Sequence, residues 1–249
     1  MVLNHTRGVV ADQEVIPKIR GLRRATVNAV GDVSFGTRVR GWLAAAWRFV
    51  RTAPLTYVWL AVLLGTTIRQ LQAGRHLHRL LVHASTNIHD LATDPLHVLF
   101  ESLLWIDGRS WTPYLVLFTL FLAPAEHWLG QMRWLTVGLT AHVGATYISE
   151  GWLYLAIQSH HAPERLVHAT DIGVSYFLVG VIAVLAYRIA RPWRWVYLAI
   201  LLTIFVVLLI AQFNFTAIGH FSAIFIGLLC YPLTRQRPRS VTAGSRSRS

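Results

Sequence analysis

Long apolar stretches alternate with short polar or basic segments through most of this chain. A transmembrane helix needs roughly 20 apolar residues, and six stretches approach or reach that length. The predicted spans are 54–68, 111–128, 134–155, 172–190, 195–212 and 214–233. The first of these is the shortest. The pattern therefore predicts an all-α membrane protein with six transmembrane helices.

A polar, basic segment precedes the first span and another follows the last. Residues 1–51 form a predicted basic cytoplasmic arm, within which residues 36–51 carry an amphipathic helix pattern. That pattern is typical of a helix in the plane of the inner leaflet, or of a helical extension of the first span. Residues 235–249 contain five arginines and no acid, which predicts a disordered cytoplasmic tail. The predicted membrane domain between them covers residues 52–234.

The polar segment between the first two spans contains one helix signal. Asp94 is a capping acid, and Pro95 follows it at the first helical position. Apolar residues then recur at helical spacing, at Leu96, Leu99, Phe100, Leu103 and Leu104. These observations predict a short amphipathic helix in the outer interface that ends near Asp107 and Gly108.

The composition argues against a soluble domain and against nucleic-acid binding. Apolar residues make up 54% of the 249 positions, and charged residues only 14%. The formal net charge of +12 is concentrated at the two ends, where it predicts contact with anionic membrane lipids. The single cysteine, Cys230, excludes an intrachain disulfide. The histidines show no zinc-ligand spacing, so we expect neither a metal nor another cofactor.

Charge also predicts the orientation in the membrane. Six spans put both termini on one side. The basic ends and the arginines of the short turns predict that this side is the cytoplasm. The arginines of the loop 69–110 fall on the outer side, but charges in long loops count less in this rule. We therefore expect a multi-pass protein of the cell membrane with both termini cytoplasmic.

Ser175 and His220 lie at a similar depth in the fourth and sixth predicted spans. Polar groups inside a span are costly, so they pair with one another or serve a function. Small residues on both spans permit the two helices to approach closely. They are Gly173 and Gly180 in the fourth span and Gly219, Ala223 and Gly227 in the sixth. Ser175 and His220 are therefore candidates for a nucleophile and its base, or for a structural hydrogen-bonded pair.

Three motifs have the order and spacing of a known family. They read Gly-Val-Ser-Tyr at 173–176 followed by Gly180, His220 followed by Ala223 and Gly227, and Glu126 followed by Gly130 at the end of the second span. Over about residues 54–233 the sequence thus resembles the rhomboid family of intramembrane serine proteases. The long outer loop with its short helix is similar as well.

The resemblance implies a six-helix bundle with an in-plane helix in the first outer loop. It also implies a serine–histidine dyad without a carboxylate as third member. Ser175 would attack the scissile carbonyl in the transmembrane segment of a substrate, and His220 would transfer the proton. The implied partners are a transmembrane protein and membrane lipids, and no cofactor is needed.

The sequence departs from the family's pattern in two places. Tyr176 replaces the glycine after the nucleophile, where we expect it to fill space that the family keeps open. Ser110 and Tyr114 fall near the positions of a His and an Asn that help to hold the oxyanion, so they are the oxyanion candidates. Two functions are therefore alternatives: a protease that cuts transmembrane segments, or a proteolytically inactive relative that binds transmembrane clients.

Four other polar residues lie in or beside the predicted spans. We expect Asp171, at the mouth of the fourth span, to be its N-cap. Glu126 and Glu150 lie near span ends, which predicts interfacial, structural positions. His142, in the middle of the third span, predicts a hydrogen bond to a neighbouring helix.

Overall fold

The computed structural model describes residues 37–42, 44–73, 88–106, 110–168 and 171–235. Within these ranges the regular structure is helical and contains no β-strand. The chain divides into two compact units, Met1–Arg51 and Thr52–Ser249. Helix α1, Thr37–Thr52, holds the described part of the first unit. The predicted arm before residue 37 and the predicted tail after residue 235 lie outside the described residues.

The second unit is a bundle of helices. Its first three are α2 (Pro54–Ala73), α3 (Ile88–Thr93) and α4 (Pro95–Glu101). The second predicted span consists of α5 (Thr112–Leu117), a π-helical turn (Phe118–Leu122) and α6 (Ala123–Leu129). The others are α7 (Gln131–Gln158), α8 (Val174–Leu185), α9 (Trp193–Ala211), α10 (Phe215–Leu229) and α11 (Tyr231–Thr234). Two 3₁₀ turns, Glu164–His168 and Ala186–Arg188, lie before and after α8.

By length and hydropathy alone, one described helix qualifies as a membrane span. It is α9, with a mean hydropathy of 2.5. A second span is obtained if Thr37–Thr52 and Pro54–Gln72 are counted together. The apolar segments Val174–Arg188 and Phe215–Leu229 are shorter. The described chain is thus all-helical as predicted, whereas the number of six spans stays a prediction.

The outer-loop helix α4 begins as predicted but ends earlier. Asp94 is its N-cap, because its carboxylate accepts a hydrogen bond from the His97 amide. Pro95 occupies the first turn, where its missing amide hydrogen costs nothing. The helix ends at Glu101 rather than near residues 107–108. It therefore has only about two turns.

The buried face of α4 also differs from the predicted one. The helix buries Val98 and Leu99, while Leu96 is 82% exposed and Phe100 is 65% exposed. Two turns contain too few apolar positions for their spacing to define one packing face.

A π-helical turn interrupts the second predicted span. The Ala123 amide donates to the Phe118 carbonyl, five residues back instead of four. Pro124 follows directly and has no amide hydrogen, so the α-helical hydrogen-bond ladder is already broken there. The residue added by the turn changes which side chains of α5 share a face with those of α6.

Helix α8 is the centre of the bundle. Ten of its twelve residues are buried, and it packs against α7 and α10. A side chain at Gly227 of α10 would overlap the backbone of Gly180, and one at Gly180 would overlap Ala141 of α7. Small residues therefore permit the close spacing of these three helices. Helix α9, by contrast, buries only Leu201 and turns most of its apolar surface outward.

Candidate active site

Ser175 and His220 lie within hydrogen-bonding distance of each other. His220 Nε2 is 2.8 Å from Ser175 Oγ, although 45 residues separate them in the chain. Ser175 belongs to the first turn of α8 and His220 to the second turn of α10. Ser175 Oγ is also 3.2 Å from the Ile172 carbonyl. A hydroxyl beside an imidazole nitrogen is the arrangement that a nucleophile and its general base require.

The two helices that carry this pair begin in different ways. Asn214 is the N-cap of α10, and its side chain accepts a hydrogen bond from the Ala217 amide at 2.8 Å. Gly173 occupies the cap position of α8, where a Cβ would overlap the His142 ring. At the cap of α8, a glycine thus admits the imidazole of a neighbouring helix.

Two aromatic rings flank the imidazole of His220. The Tyr176 ring lies with its centroid 5.0 Å away at an interplanar angle of 70°. The Phe205 ring of α9 lies 5.8 Å away at 52°. Tilted and edge-to-face arrangements at these distances are favourable for aromatic rings. The imidazole is therefore restricted by rings from α8 and α9 while it contacts Ser175.

The side chain of Tyr176 fills space beside Gly219 of α10 and not in the cavity beside Ser175. Its side chain is fully buried and is not among the residues that line the cavity beside Ser175. It packs against Gly219, where a Cβ would overlap its ring and hydroxyl. Successive residues on a helix point about 100° apart, so Tyr176 leaves α8 on a different side from Ser175.

An apolar cavity of about 520 Å³ opens beside the pair. It lies between the second predicted span and the helices α8, α9 and α10. Its lining includes Ser175 and His220 together with Leu117, Val179 and Ile204. The polar pair is thus exposed to a space that otherwise offers apolar contacts, which suits an apolar ligand more than a soluble polar one.

The two oxyanion candidates lie in different places. Tyr114 of α5 lines the same cavity as Ser175 and His220. Ser110 is exposed and is not among the lining residues of that cavity. Of the two predicted donors, only Tyr114 therefore shares a cavity with the candidate nucleophile.

Asp171 is not the N-cap of α8, so that prediction is wrong. The helix begins at Val174, without a side-chain cap hydrogen bond. The Asp171 carboxylate is only 3% exposed. It accepts one hydrogen bond from the Ile172 amide at 3.1 Å and another from the Tyr176 hydroxyl at 2.5 Å. The spacing of Asp171 and Tyr176 in the sequence did not predict their hydrogen bond, because the bond depends on the direction in which Tyr176 leaves the helix.

The Glu126–Gly130 motif holds the start of α2. Glu126 is 2% exposed, and its structural role is as predicted, whereas its interfacial depth stays a prediction. Its carboxylate accepts hydrogen bonds from the amides of Leu55 and Thr56 and from the Thr56 hydroxyl. Gly130 has a φ of +79°, a conformation that favours glycine, between α6 and α7. The motif therefore closes α6 and anchors the first helix of the unit.

His142 and Glu150 are both buried on α7. His142 Nε2 is 3.0 Å from the Leu99 carbonyl and 3.4 Å from Ser102 Oγ, so the predicted bond to a neighbouring helix is present. These contacts join α7 to the C-terminal part of α4. Glu150 is 2% exposed, and its interfacial depth stays a prediction. Among the described residues, neither of its carboxylate oxygens has a hydrogen-bond partner.

A match to a protein family covers most of the chain. A family model described as "rhomboid-like protein" matches residues 48–240. No curated protein and no solved structure matches the chain. The matched range is more than half of the chain and contains Ser175, His220, Tyr114 and the Glu126–Gly130 motif. The chain therefore belongs to the rhomboid-like protein family.

Proposed function

We propose that this rhomboid-like membrane protein is an intramembrane serine protease, with Ser175 as the nucleophile and His220 as the general base. The observation that supports the proposal most directly is the 2.8 Å between His220 Nε2 and Ser175 Oγ. Serine is a weak nucleophile unless a neighbouring base accepts its proton, and His220 is within reach to do so.

The reaction follows from this pair. The Ser175 oxygen attacks the scissile carbonyl while its proton passes to His220 Nε2. The protonated imidazole then donates to the leaving amine nitrogen, and the peptide bond breaks to give an acyl-enzyme. A water molecule, deprotonated by the same imidazole, releases the acyl group and restores Ser175. No metal or cofactor takes part in these steps.

The cavity indicates the class of substrate. Its walls are mainly apolar side chains of α5, α8 and α9, and the lining also includes Tyr114 and Tyr197 beside the dyad. A transmembrane segment of another protein presents a matching apolar surface, with one peptide bond that must be brought to Ser175. Since α9 buries only Leu201, a lipid-embedded segment has little packing to displace at that helix.

A second candidate function is the binding of transmembrane clients without cleavage. One observation favours it: only Tyr114 of the two predicted oxyanion donors lines the cavity, and Ser110 does not. Losing a preorganised donor costs on the order of 100- to 1000-fold in rate. The same apolar cavity then serves as a docking site, and the Ser175–His220 contact holds two helices together.

Covalent labelling tests the proposal. We expect a fluorescent fluorophosphonate to label the purified protein in detergent micelles or liposomes, and labelling to be abolished by Ser175→Ala and by His220→Ala. Ser222→Ala is the matched control, because Ser222 also lies on α10 but its hydroxyl bonds the Ile218 carbonyl. Labelling that persists in Ser175→Ala would favour the client-binding function. So would a folded wild type that is labelled neither by a fluorophosphonate with a short alkyl chain nor by one with a long alkyl chain.

A further inference from the structure

The carboxylate of Asp171 is buried beside the dyad. A buried carboxylate is costly unless it is hydrogen-bonded, and the side chain of Asp171 is 3% exposed. Its Oδ2 accepts the Tyr176 hydroxyl at 2.5 Å, and its Oδ1 accepts the Ile172 amide at 3.1 Å. Hydrogen bonds from a hydroxyl to a carboxylate are short and stronger than neutral ones. The Tyr176 hydroxyl is therefore held at one point.

The Tyr176 ring has little freedom once its hydroxyl is held. A tyrosine side chain has two rotatable torsions, and the backbone of Tyr176 is already fixed in the first turn of α8. The ring is fully buried against Gly219 of α10. A Cβ at position 219 would overlap the ring, so this position admits it only because it is glycine. The ring thus packs against Gly219, the residue immediately before His220.

The fixed ring faces the imidazole. The two centroids are 5.0 Å apart at 70°, and the ring of Phe205 approaches the same imidazole at 5.8 Å. A general base in such a pair must itself be oriented by a further group. Among the described residues, no carboxylate is hydrogen-bonded to His220. Orientation must then come from packing.

We propose that Asp171 and Tyr176 are positioning residues for the dyad. The Asp171 carboxylate fixes the Tyr176 ring, and the ring holds the imidazole of His220 in the orientation that brings Nε2 to Ser175 Oγ. The inference rests on the proposed function, since it assigns a role in the same reaction. It places a carboxylate in the site, acting through an aromatic ring.

The kinetics of fluorophosphonate labelling test this assignment. We would measure the maximal labelling rate constant and the half-saturating probe concentration for Tyr176→Phe, Asp171→Ala and Asp171→Asn. We expect Tyr176→Phe and Asp171→Ala to lower the maximal rate constant about tenfold, with little change in the half-saturating concentration. Asp171→Asn keeps an oxygen acceptor for the tyrosine hydroxyl and should retain most of the rate.

Tyr187→Phe is the matched control. The Tyr187 hydroxyl also donates to a fixed acceptor, the Leu228 carbonyl at 2.8 Å, but it lies beyond the other end of α8. This variant removes an equivalent hydrogen bond without touching the site. Wild-type rates in Tyr176→Phe and Asp171→Ala, an equal loss in Tyr187→Phe, or no rescue by Asp171→Asn would each overturn the assignment.

A readout without activity separates this inference from the proposed function. The ring signals of His220 in ¹³C-histidine-labelled protein, assigned with His220→Gln, report the position of the Tyr176 ring through its ring current. We expect Asp171→Ala to move these signals, and Asp171→Asn and Tyr187→Phe to leave them unchanged. If Asp171→Ala moves the signals but the wild type is not labelled, the protease proposal is overturned and the positioning of His220 is retained. If the wild type is labelled but Asp171→Ala leaves the signals in place, only the positioning role is overturned.

Discussion

Thr56 contacts Glu126 with two hydrogen bonds to the same carboxylate oxygen. Its amide donates to Glu126 Oε2 at 2.8 Å, and its hydroxyl donates to that oxygen at 2.7 Å. The Leu55 amide donates to the other oxygen at 3.0 Å. The first turn of α2 has amides without intrahelical partners, and a side chain 70 residues later satisfies them. The two helices are joined at this point.

We expect Glu126→Ala to destabilise the protein strongly. It would leave the buried amide and hydroxyl of Thr56 and the partly buried amide of Leu55 without an acceptor, at a cost of roughly 2–4 kcal/mol in the free energy of unfolding. Reversible unfolding in mixed micelles would measure the change. Glu101→Ala is the control, because Glu101 is part of an exposed pair with His97 at 3.5 Å. Such pairs contribute less than about 1 kcal/mol, so equal losses in the two variants would contradict the anchoring role.

Gly227→Ala should separate α10 from α8. The new methyl would overlap the backbone of Gly180, which has no flexible side chain to move aside. Overpacking of this kind costs roughly 1–3 kcal/mol, and labelling of Ser175 should slow because His220 is carried on the displaced helix. Gly151→Ala on α7 is the control, since nothing lies within 4 Å of its Cβ position. That variant should be neutral or stabilising by up to about 1 kcal/mol.

Tyr114→Phe tests the oxyanion candidate that lines the cavity. If the phenol donates to the developing oxyanion, its removal should lower the labelling rate constant about 100-fold. Ser110→Ala should leave the rate unchanged, since Ser110 is exposed away from the lining. The reverse pattern, a loss in Ser110→Ala and none in Tyr114→Phe, would reject this assignment.

Ile204→Trp tests whether the cavity receives the apolar part of a substrate. Ile204 lines the cavity, and a bulkier side chain there should fill part of it. We expect labelling by a fluorophosphonate with a long alkyl chain to slow about tenfold, and labelling by a short one to change little. Ile210→Trp is the control on the same helix, since Ile210 is 76% exposed and outside the lining. Equal slowing of both probes would argue against a substrate-binding cavity.

The sequence predicted the encounter of Ser175 and His220 because two independent signals agreed. The two residues lie at similar depths in their spans, and small residues accompany both, so close approach was expected. The direction of individual side chains was not accessible in this way. The sequence indicated that Tyr176 fills space, but it did not indicate that the turn of the helix directs the ring to Gly219.

Contacts between distant segments were also beyond the sequence pattern. Glu126 was predicted to be interfacial and structural from its position near a span end. Nothing in the neighbouring sequence identified the amides of Leu55 and Thr56 as its partners. The prediction of the buried face of α4 was wrong for another reason. The two turns of the helix contain too few apolar positions for their spacing to define one packing face.

The π-helical turn at Phe118–Leu122 shifts the helical phase of α6 relative to that of α5. A helix advances by about 100° per residue, so the one additional residue rotates Tyr114 relative to Glu126 by that angle. In an uninterrupted α-helix whose Glu126 still bonded the first turn of α2, the Tyr114 side chain would point away from the cavity. A single additional residue thus sets the angle between the end of the helix that anchors α2 and the end that lines the cavity.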